Sequence, residues 1–328
     1  MKNKCNIFED EDAIIPSWWS DLLSCPKCGV ELNIALQAEE LQGHCLSCGC
    51  HWERKKHIIS WIDTNKNIDV FRWRDFWGKL LNQLNPLSCR LSPLRLLTDW
   101  NVNQYYKRTL FDSNLADRWN RHYFEGLNLN PGDFILDHGC GRGRNVALTA
   151  QLGYRVIGQD ISPHPWWKML KQNLFQVVPP PYNKFPWRNS SFSLVLNVQV
   201  IHYLSENKLI SHAQEVFRIL KPGGYWILLE ANQMGCGISL TQRLIGKLYS
   251  LETIKKIALE SGFIEIDTSY EGFYSPIFPR FINFIRKQCL SRCFDIADFG
   301  TWIESITPAE RRAYWLLRLR KPDGEMYE

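Results

Sequence analysis

Pro131-Gly-Asp-Phe-Ile-Leu-Asp137-His-Gly139-Cys140-Gly141-Arg-Gly143-Arg-Asn-Val-Ala-Leu-Thr-Ala-Gln-Leu-Gly-Tyr-Arg-Val-Ile-Gly-Gln-Asp160 parses as a strand, a glycine loop, a helix and a second strand that ends on a carboxylate. Gly139 and Gly141 lack Cβ atoms and let the backbone approach a ligand, and the helix that follows offers unpaired N–H groups at its N-terminus. Asp160 closes the next strand, where a carboxylate accepts hydrogen bonds from both hydroxyls of a ribose. One such geometry holds both ends of a nucleoside amino acid. A glycine loop with a downstream acid also describes a dinucleotide site, but here the spacing is Gly-x-Gly-x-Gly, not Gly-x-Gly-x-x-Gly, and Asp137 ends the preceding strand.

Farther on come a buried strand Ser191-Phe-Ser-Leu-Val-Leu-Asn197, a helix Ala213-Gln-Glu-Val-Phe-Arg-Ile-Leu220, a turn Lys221-Pro-Gly-Gly224 and a strand Tyr225-Trp-Ile-Leu-Leu-Glu230. From about residue 125 to 322 the series resembles the class I S-adenosylmethionine-dependent methyltransferases of the ubiquinone/menaquinone methyltransferase-like type. The resemblance implies an α/β fold: a Rossmann-like, seven-stranded methyltransferase sheet with helices on both faces. It makes S-adenosyl-L-methionine the cofactor. Asp137 with the loop residues Gly139, Cys140, Gly141 and Gly143 would hold the methionine portion, Asp160 and Ile161 the ribose side, and the chain from Asn197 onward would border the transferred methyl. Ser250 to Gly262 and Ala313 to Pro322 look like that family's last helix and its final antiparallel strand. The chain departs from the pattern in having no acid in Val177-Val-Pro-Pro-Pro-Tyr182, which leaves adenine to backbone groups. Ser193 stands where an Asp is common, and His138 replaces an apolar residue. Pro179-Pro-Pro-Tyr182 precedes the fourth strand and reads as a connector.

Near the amino terminus, Cys25-Pro-Lys-Cys28-Gly and Cys45-Leu-Ser-Cys48-Gly form two Cys-x2-Cys pairs sixteen residues apart, the spacing of a structural zinc site. Gly29 and Gly49 let each knuckle turn with positive φ, and four thiolates close a tetrahedral Zn2+ site without a position for water. His44, Cys50 and His51 are alternative ligands that spacing does not exclude. The segment resembles the Trm112-like zinc ribbons, in which an apolar strand follows the second pair, here Ile58-Ile-Ser-Trp-Ile62.

The expected domains are the ribbon at 1–65, a helical connector rich in aromatics at 66–125 and the catalytic domain at 126–328. With 45% hydrophobic and 22% charged residues the 328-residue chain suits a globular protein with a sizeable core. It shows no signal peptide and no transmembrane segment, which points to the cytoplasm. Residues 280–321 hold nine Arg and Lys against four Asp and Glu, accounting for the whole net charge of +5. With the aromatics of Tyr270 to Lys287, an expected acceptor wall, this allows peripheral contact with a membrane surface. Methyl transfer from a sulfonium disperses charge, so a dry, positioning pocket contributes more than any reactive side chain. His202, after the fourth strand, is the candidate catalytic base, against a structural histidine closing a loop. Tyr203 and Glu230 are weaker candidates. The expected acceptor is a small molecule or a lipid- or glycan-linked metabolite. RNA gripped by the ribbon is the second reading, weakened by the ribbon segment 22–62, whose only cations are Lys27, Arg54, Lys55 and Lys56. A non-catalytic scaffold is the third.

Overall fold

In a computed structural model, the structure describes residues 16–32, 40–62, 122–161, 173–178, 184–233, 247–271, 308–312 and 314–324, with 163–164, 167–168 and 170. The connector at 66–121 and nearly all of the expected acceptor wall after Glu271 lie outside them. Ten strands fall among the described residues: β1 (Glu40–His44), β2 (His51–Lys55), β3 (Ile58–Ile62), β4 (Phe134–His138), β5 (Arg155–Asp160), β6 (Leu174–Val177), β7 (Phe192–Val198), β8 (Leu220–Ala231), β9 (Ile264–Glu271) and β10 (Tyr314–Arg320). The α-helices are α1 (Arg144–Gln151), α2 (Glu206–Ile219) and α3 (Leu251–Glu260). Parallel strands alternating with helices and finishing in an antiparallel pair make a Rossmann-like α/β fold. The chain divides into two compact units, Met1–Gly132 with Cys140–Arg188, and Asp133–Gly139 with Asn189–Glu328.

In the first unit the strand order is β1-β2-β3-β6-β5. The cysteine-bearing segment builds the antiparallel ladder β1-β2-β3, and β3 then pairs in parallel with β6, setting Ile58 opposite Phe175 and Ser60 opposite Val177. This pairing explains the apolar run Ile58–Ile62: Ile59 and Trp61 are buried because the strand joins a larger sheet. A second seam ties the cysteine-bearing segment to residues 186–188. Leu23 bridges Trp187, the Ser24 N–H donates to the Pro186 carbonyl and the Arg188 N–H to that of Leu22. The Arg188 guanidinium donates to the carbonyls of Leu23 (3.2 Å) and Leu32 (3.0 Å) and pairs with Glu31 at 3.1 Å.

In the second unit the order is β4-β7-β8-β10-β9, with β4, β7 and β8 parallel and β10 antiparallel to both neighbours. Phe192 to Leu196 is a continuous buried run, as a central parallel strand requires. Helix α3 starts where expected, Ser250 Oγ accepting the Thr253 N–H at 3.1 Å. Helix α2 begins at Glu206, a full two turns before Ala213. Lys321 caps its carboxyl end, Nζ donating to the Phe217 and Leu220 carbonyls at 2.8 Å each. The expected turn Lys221–Gly224 is taken up within β8 as a bulge: Leu220 lies opposite Phe192 and Tyr225 opposite Leu194. Gly223 supplies its φ of +72°.

Gly158, in the middle of β5, is required by close approach. A Cβ there would lie 2.7 Å from Phe175, 2.8 Å from Val146 and 2.9 Å from the Cys140 sulfur. Gly158→Ala is therefore expected to lower the unfolding free energy by about 1–3 kcal/mol in urea denaturation; wild-type stability would contradict this packing.

Candidate cofactor site and cysteine cluster

Asp160 and the glycine loop come together within the first unit. The Gly141 N–H donates to Asp160 Oδ2 at 2.9 Å and the Ile161 N–H to Oδ1 at 2.8 Å, so backbone donors hold both oxygens of the carboxylate. The Cys140 N–H donates to the Gln159 carbonyl and that of Gly143 to Cys140, tightening the bend. Two glycines serve different ends. Gly143, the left-handed residue before α1, would drive a Cβ to 2.8 Å from Phe175, whereas a Cβ on Gly141 would meet nothing within 4 Å. Gly141 thus turns bare backbone toward open space, the cradle a ligand needs. Ile161, 44% exposed, lies next to the carboxylate as an apolar surface for a flat ring. Trp167, which the sequence reading passed over, donates its indole N–H to the Gly141 carbonyl at 2.9 Å.

In the second unit Asp137 is buried near the end of β4, and Gly139 has a φ of +78° with Val200 so close that a Cβ would lie 2.4 Å from it. Asn197, expected to help border the ligand, is fully buried and its amide is engaged inside this unit. Its Nδ2 donates to the His138 carbonyl (3.0 Å) and to His138 Nδ1 (3.2 Å), and its Oδ1 accepts from His212 Nε2 (3.1 Å) and Trp226 Nε1 (2.8 Å). Both donors and both lone pairs are used, so this carboxamide braces the strand ends. His138 is thereby explained as a partner of Asn197. Ser193 is explained as well: its hydroxyl donates to Asp133 at 2.7 Å, so the acid sits one strand away.

The corner after β7 is tied to Glu230. Its Oε1 accepts the N–H groups of Val200 (2.5 Å) and Ile201 (2.8 Å), and its Oε2 lies 2.9 Å from His202 Nδ1. His202 and Glu230 are both buried, and the His202 ring packs against Tyr203 with centroids 4.0 Å apart. Gln199 holds a φ of +60°, a strained value for a residue with a side chain, secured by its N–H to the Leu229 carbonyl at 2.8 Å.

The sulfur atoms of Cys25, Cys28, Cys45 and Cys48 all lie within 4.8 Å of one another. Cys25 and Cys48 are 3.5 Å apart and Cys28 and Cys45 3.6 Å, beyond a disulfide bond of about 2.05 Å and near the edge of about 3.8 Å in a tetrahedron of thiolates around zinc. The two knuckles repeat one pattern: Gly29 donates to the Cys25 carbonyl and Gly49 to that of Cys45, with φ of +80° and +68°. Burial pushes the Cys25 and Cys48 thiols up. Burial acts the same way on Cys28, but the Val30 N–H and the neighbouring sulfurs outweigh it and bring that thiol down to about 7. Four sulfurs this close ionise together only around a cation. His44 and His51, with ring centroids 5.8 Å apart across the β1–β2 ladder, and Cys50 stand outside this cluster.

Residues 136–228 match the model of a methyltransferase domain. Over this part of its length the chain is similar to methyltransferases of several kinds. It is 30% identical over 122 residues to an uncharacterized methyltransferase of Synechocystis sp., covering 36% of this chain and 56% of that protein. It is 30% identical over 132 residues to the demethylmenaquinone methyltransferase of Symbiobacterium thermophilum, covering 36% and 50%. It is 32% identical over 102 residues to the tRNA (carboxymethyluridine(34)-5-O)-methyltransferase of Arabidopsis thaliana, covering 31% and 24%. The chain thus spans about half or less of the length of these relatives.

On α2, His212 is a buried group that the sequence analysis does not single out; only its helical spacing from Leu209 and Val216 marks it as lying on an inner face. Burial, and then the charge of His138, hold its imidazole well below the ordinary 6.5. It stays neutral when the unfolded chain takes up a proton, so stability present above pH 6.5 is lost as the pH falls toward the folded value, by up to about 1.4 kcal/mol per pH unit. Between pH 6.5 and 5.5 the stability of His212→Gln should fall less steeply than that of the wild type in denaturant titrations. Parallel slopes would rule this origin out.

Proposed function

We propose that the protein is an S-adenosylmethionine-dependent methyltransferase whose acceptor is a small molecule or a lipid- or glycan-linked metabolite. The observation that supports it most is the closure of the Gly-x-Gly-x-Gly bend on Asp160 through the Gly141 N–H, within the stretch that matches the methyltransferase model. In this reading Asp160 accepts the ribose hydroxyls, Ile161 faces the adenine, and Asp137, Gly139, Cys140 and Gly143 serve the methionine portion of a seven-stranded domain. The cofactor, when bound, supplies a methyl group on a sulfonium. The protein's contribution is orientation and exclusion of water, since the cation's charge disperses in the transition state. His202, with Nδ1 committed to Glu230, is read as holding the corner after β7 in place and not as a proton acceptor.

The wider acceptor class follows from the ribbon. Of the four cations between residues 22 and 62, Arg54 is buried with Nε on the Lys56 carbonyl, and Lys55 lies 3.4 Å from Glu53. What remains is too little positive charge for a nucleic-acid grip. We read the four cysteines as a structural Zn2+ site, closed and without a catalytic position.

Two measurements test these assignments. Calorimetric titration with S-adenosylhomocysteine should show binding that Asp160→Ala weakens about 10- to 100-fold, the worth of charge-assisted hydrogen bonds to the ribose; equal affinity would remove the ribose assignment. Native mass spectrometry should find one zinc per chain, lost in Cys45→Ser. A folded ribbon without metal would refute the zinc reading.

A further inference from the structure

The tip of the β2–β3 hairpin reaches beyond its own ladder. Lys56, with a φ of +56°, turns the chain, and the Arg54 Nε–H holds its carbonyl. His57, the next residue, is buried and contacts the catalytic part of the first unit twice. Its carbonyl accepts the Phe175 N–H at 3.0 Å, setting the register of β3 on β6. Its ring nitrogen Nε2 lies 2.8 Å from the Trp167 carbonyl. A carbonyl only accepts, so Nε2 carries the proton and donates.

From Trp167 the connection continues. Its ring stacks on Phe175, centroids 4.5 Å apart and planes 9° from parallel, and its indole N–H donates to the Gly141 carbonyl. The Gly141 N–H in turn donates to Asp160. Both polar groups of Gly141, at which a Cβ would meet nothing within 4 Å, are therefore fixed, one by the acid and one by a tryptophan whose own backbone is held by the hairpin. Three hydrogen bonds, each between 2.8 and 2.9 Å, join the hairpin to the ribose-side carboxylate.

We propose that His57 is a positioning residue for the glycine loop, acting through Trp167 on the orientation of Gly141, so that the ribbon sets cofactor affinity from outside the site. The inference rests on the cofactor reading given under Proposed function. A histidine that merely filled space under the hairpin would change stability and leave the affinity of the folded protein untouched. A positioning histidine lowers affinity in the folded protein, and only to the extent that Trp167 can pass the change on.

The test is calorimetric titration of S-adenosylhomocysteine into the full-length wild type and four variants, each first shown by its melting curve to be folded at the temperature of the titration. His57→Ala and Trp167→Phe, which keeps the stack on Phe175 but lacks the indole donor, are each expected to weaken binding about 5- to 10-fold. The double variant should bind no worse than the weaker single one, because both changes cut the same connection. His57→Gln, whose amide can donate to the Trp167 carbonyl, should recover most of the affinity. Wild-type affinity in folded His57→Ala, or multiplying losses in the double variant, would overturn the proposal while leaving the cofactor reading intact. Should His57→Ala not fold, wild-type affinity in Trp167→Phe overturns it alone. A wild type that binds no S-adenosylhomocysteine would remove the cofactor reading and this inference with it.

Discussion

The hydrogen bond from the Gly141 N–H to the Asp160 carboxylate ties two segments nineteen residues apart into one rigid corner, and the packing around it follows from that closure. For the loop to lie against the end of β5, the side chains beneath it must be small where they meet and large where they fill. Gly158 and Gly143 both give way to the ring of Phe175, which in turn carries the ring of Trp167. A tightly packed aromatic pair under a glycine bend leaves little room for the loop to move, because interiors at crystal-like density resist even a single added methylene. A bend held in place by its own packing would lose little free energy in being ordered around a ligand.

The ribbon belongs to this arrangement through its strand. A parallel sheet ending at β6 would present a row of unpaired backbone groups, and β3 covers that edge with a short strand that itself continues into an antiparallel ladder. Arg188 adds hydrogen bonds at a second place, where a planar guanidinium reaches two carbonyls and one carboxylate. The ribbon is thus anchored by backbone pairing, by an arginine and by His57, three contacts differing in chemistry. Such redundancy suits a small module with little core of its own.

Much of this was legible in the sequence, and the exceptions share a physical cause. The glycine bend, Asp160, the cysteine pairs and the apolar run Ile58–Ile62 declare themselves because spacing and backbone conformation are local properties. Where β3 docks is not local: an apolar strand calls for a partner, but only the tertiary structure shows that the partner is β6. The same holds for Asn197. Its position at a strand end suggested a ligand contact, yet His138, His212 and Trp226, drawn from three other elements, occupy its amide. Trp167 sits in an aromatic pair that reads as core filling, and its stack on Phe175 is core filling. The indole N–H on the Gly141 carbonyl is a second role that composition does not reveal. The Lys221–Gly224 turn was found in the right place but assigned as a break, because proline and glycine usually end an element, whereas here β8 absorbs the extra residues as a bulge opposite β7.

The distribution of buried polar groups in the second unit argues for where its work is done. The centres of β4, β7 and β8 are apolar: Ile135 and Leu136, Leu194 to Leu196, Trp226 to Leu228. Toward their carboxyl ends the same strands bury Asp137, Asn197 and Glu230, and the loop they support contains strained Gln199 and the backbone donors of Val200 and Ile201. Burying polar groups costs stability unless every partner is supplied, and stability alone would be served as well by leucine. Open parallel sheets bind ligands beyond the carboxyl ends of their strands, so the costly groups lie at the one edge where geometry can be put to use. The opposite end holds Asp133, Ser193 and Lys221 in a partly exposed network whose members satisfy one another. The satisfied network lies at one end of these strands, and the strained corner braced by Glu230 at the other, the end at which an open parallel sheet offers a crevice.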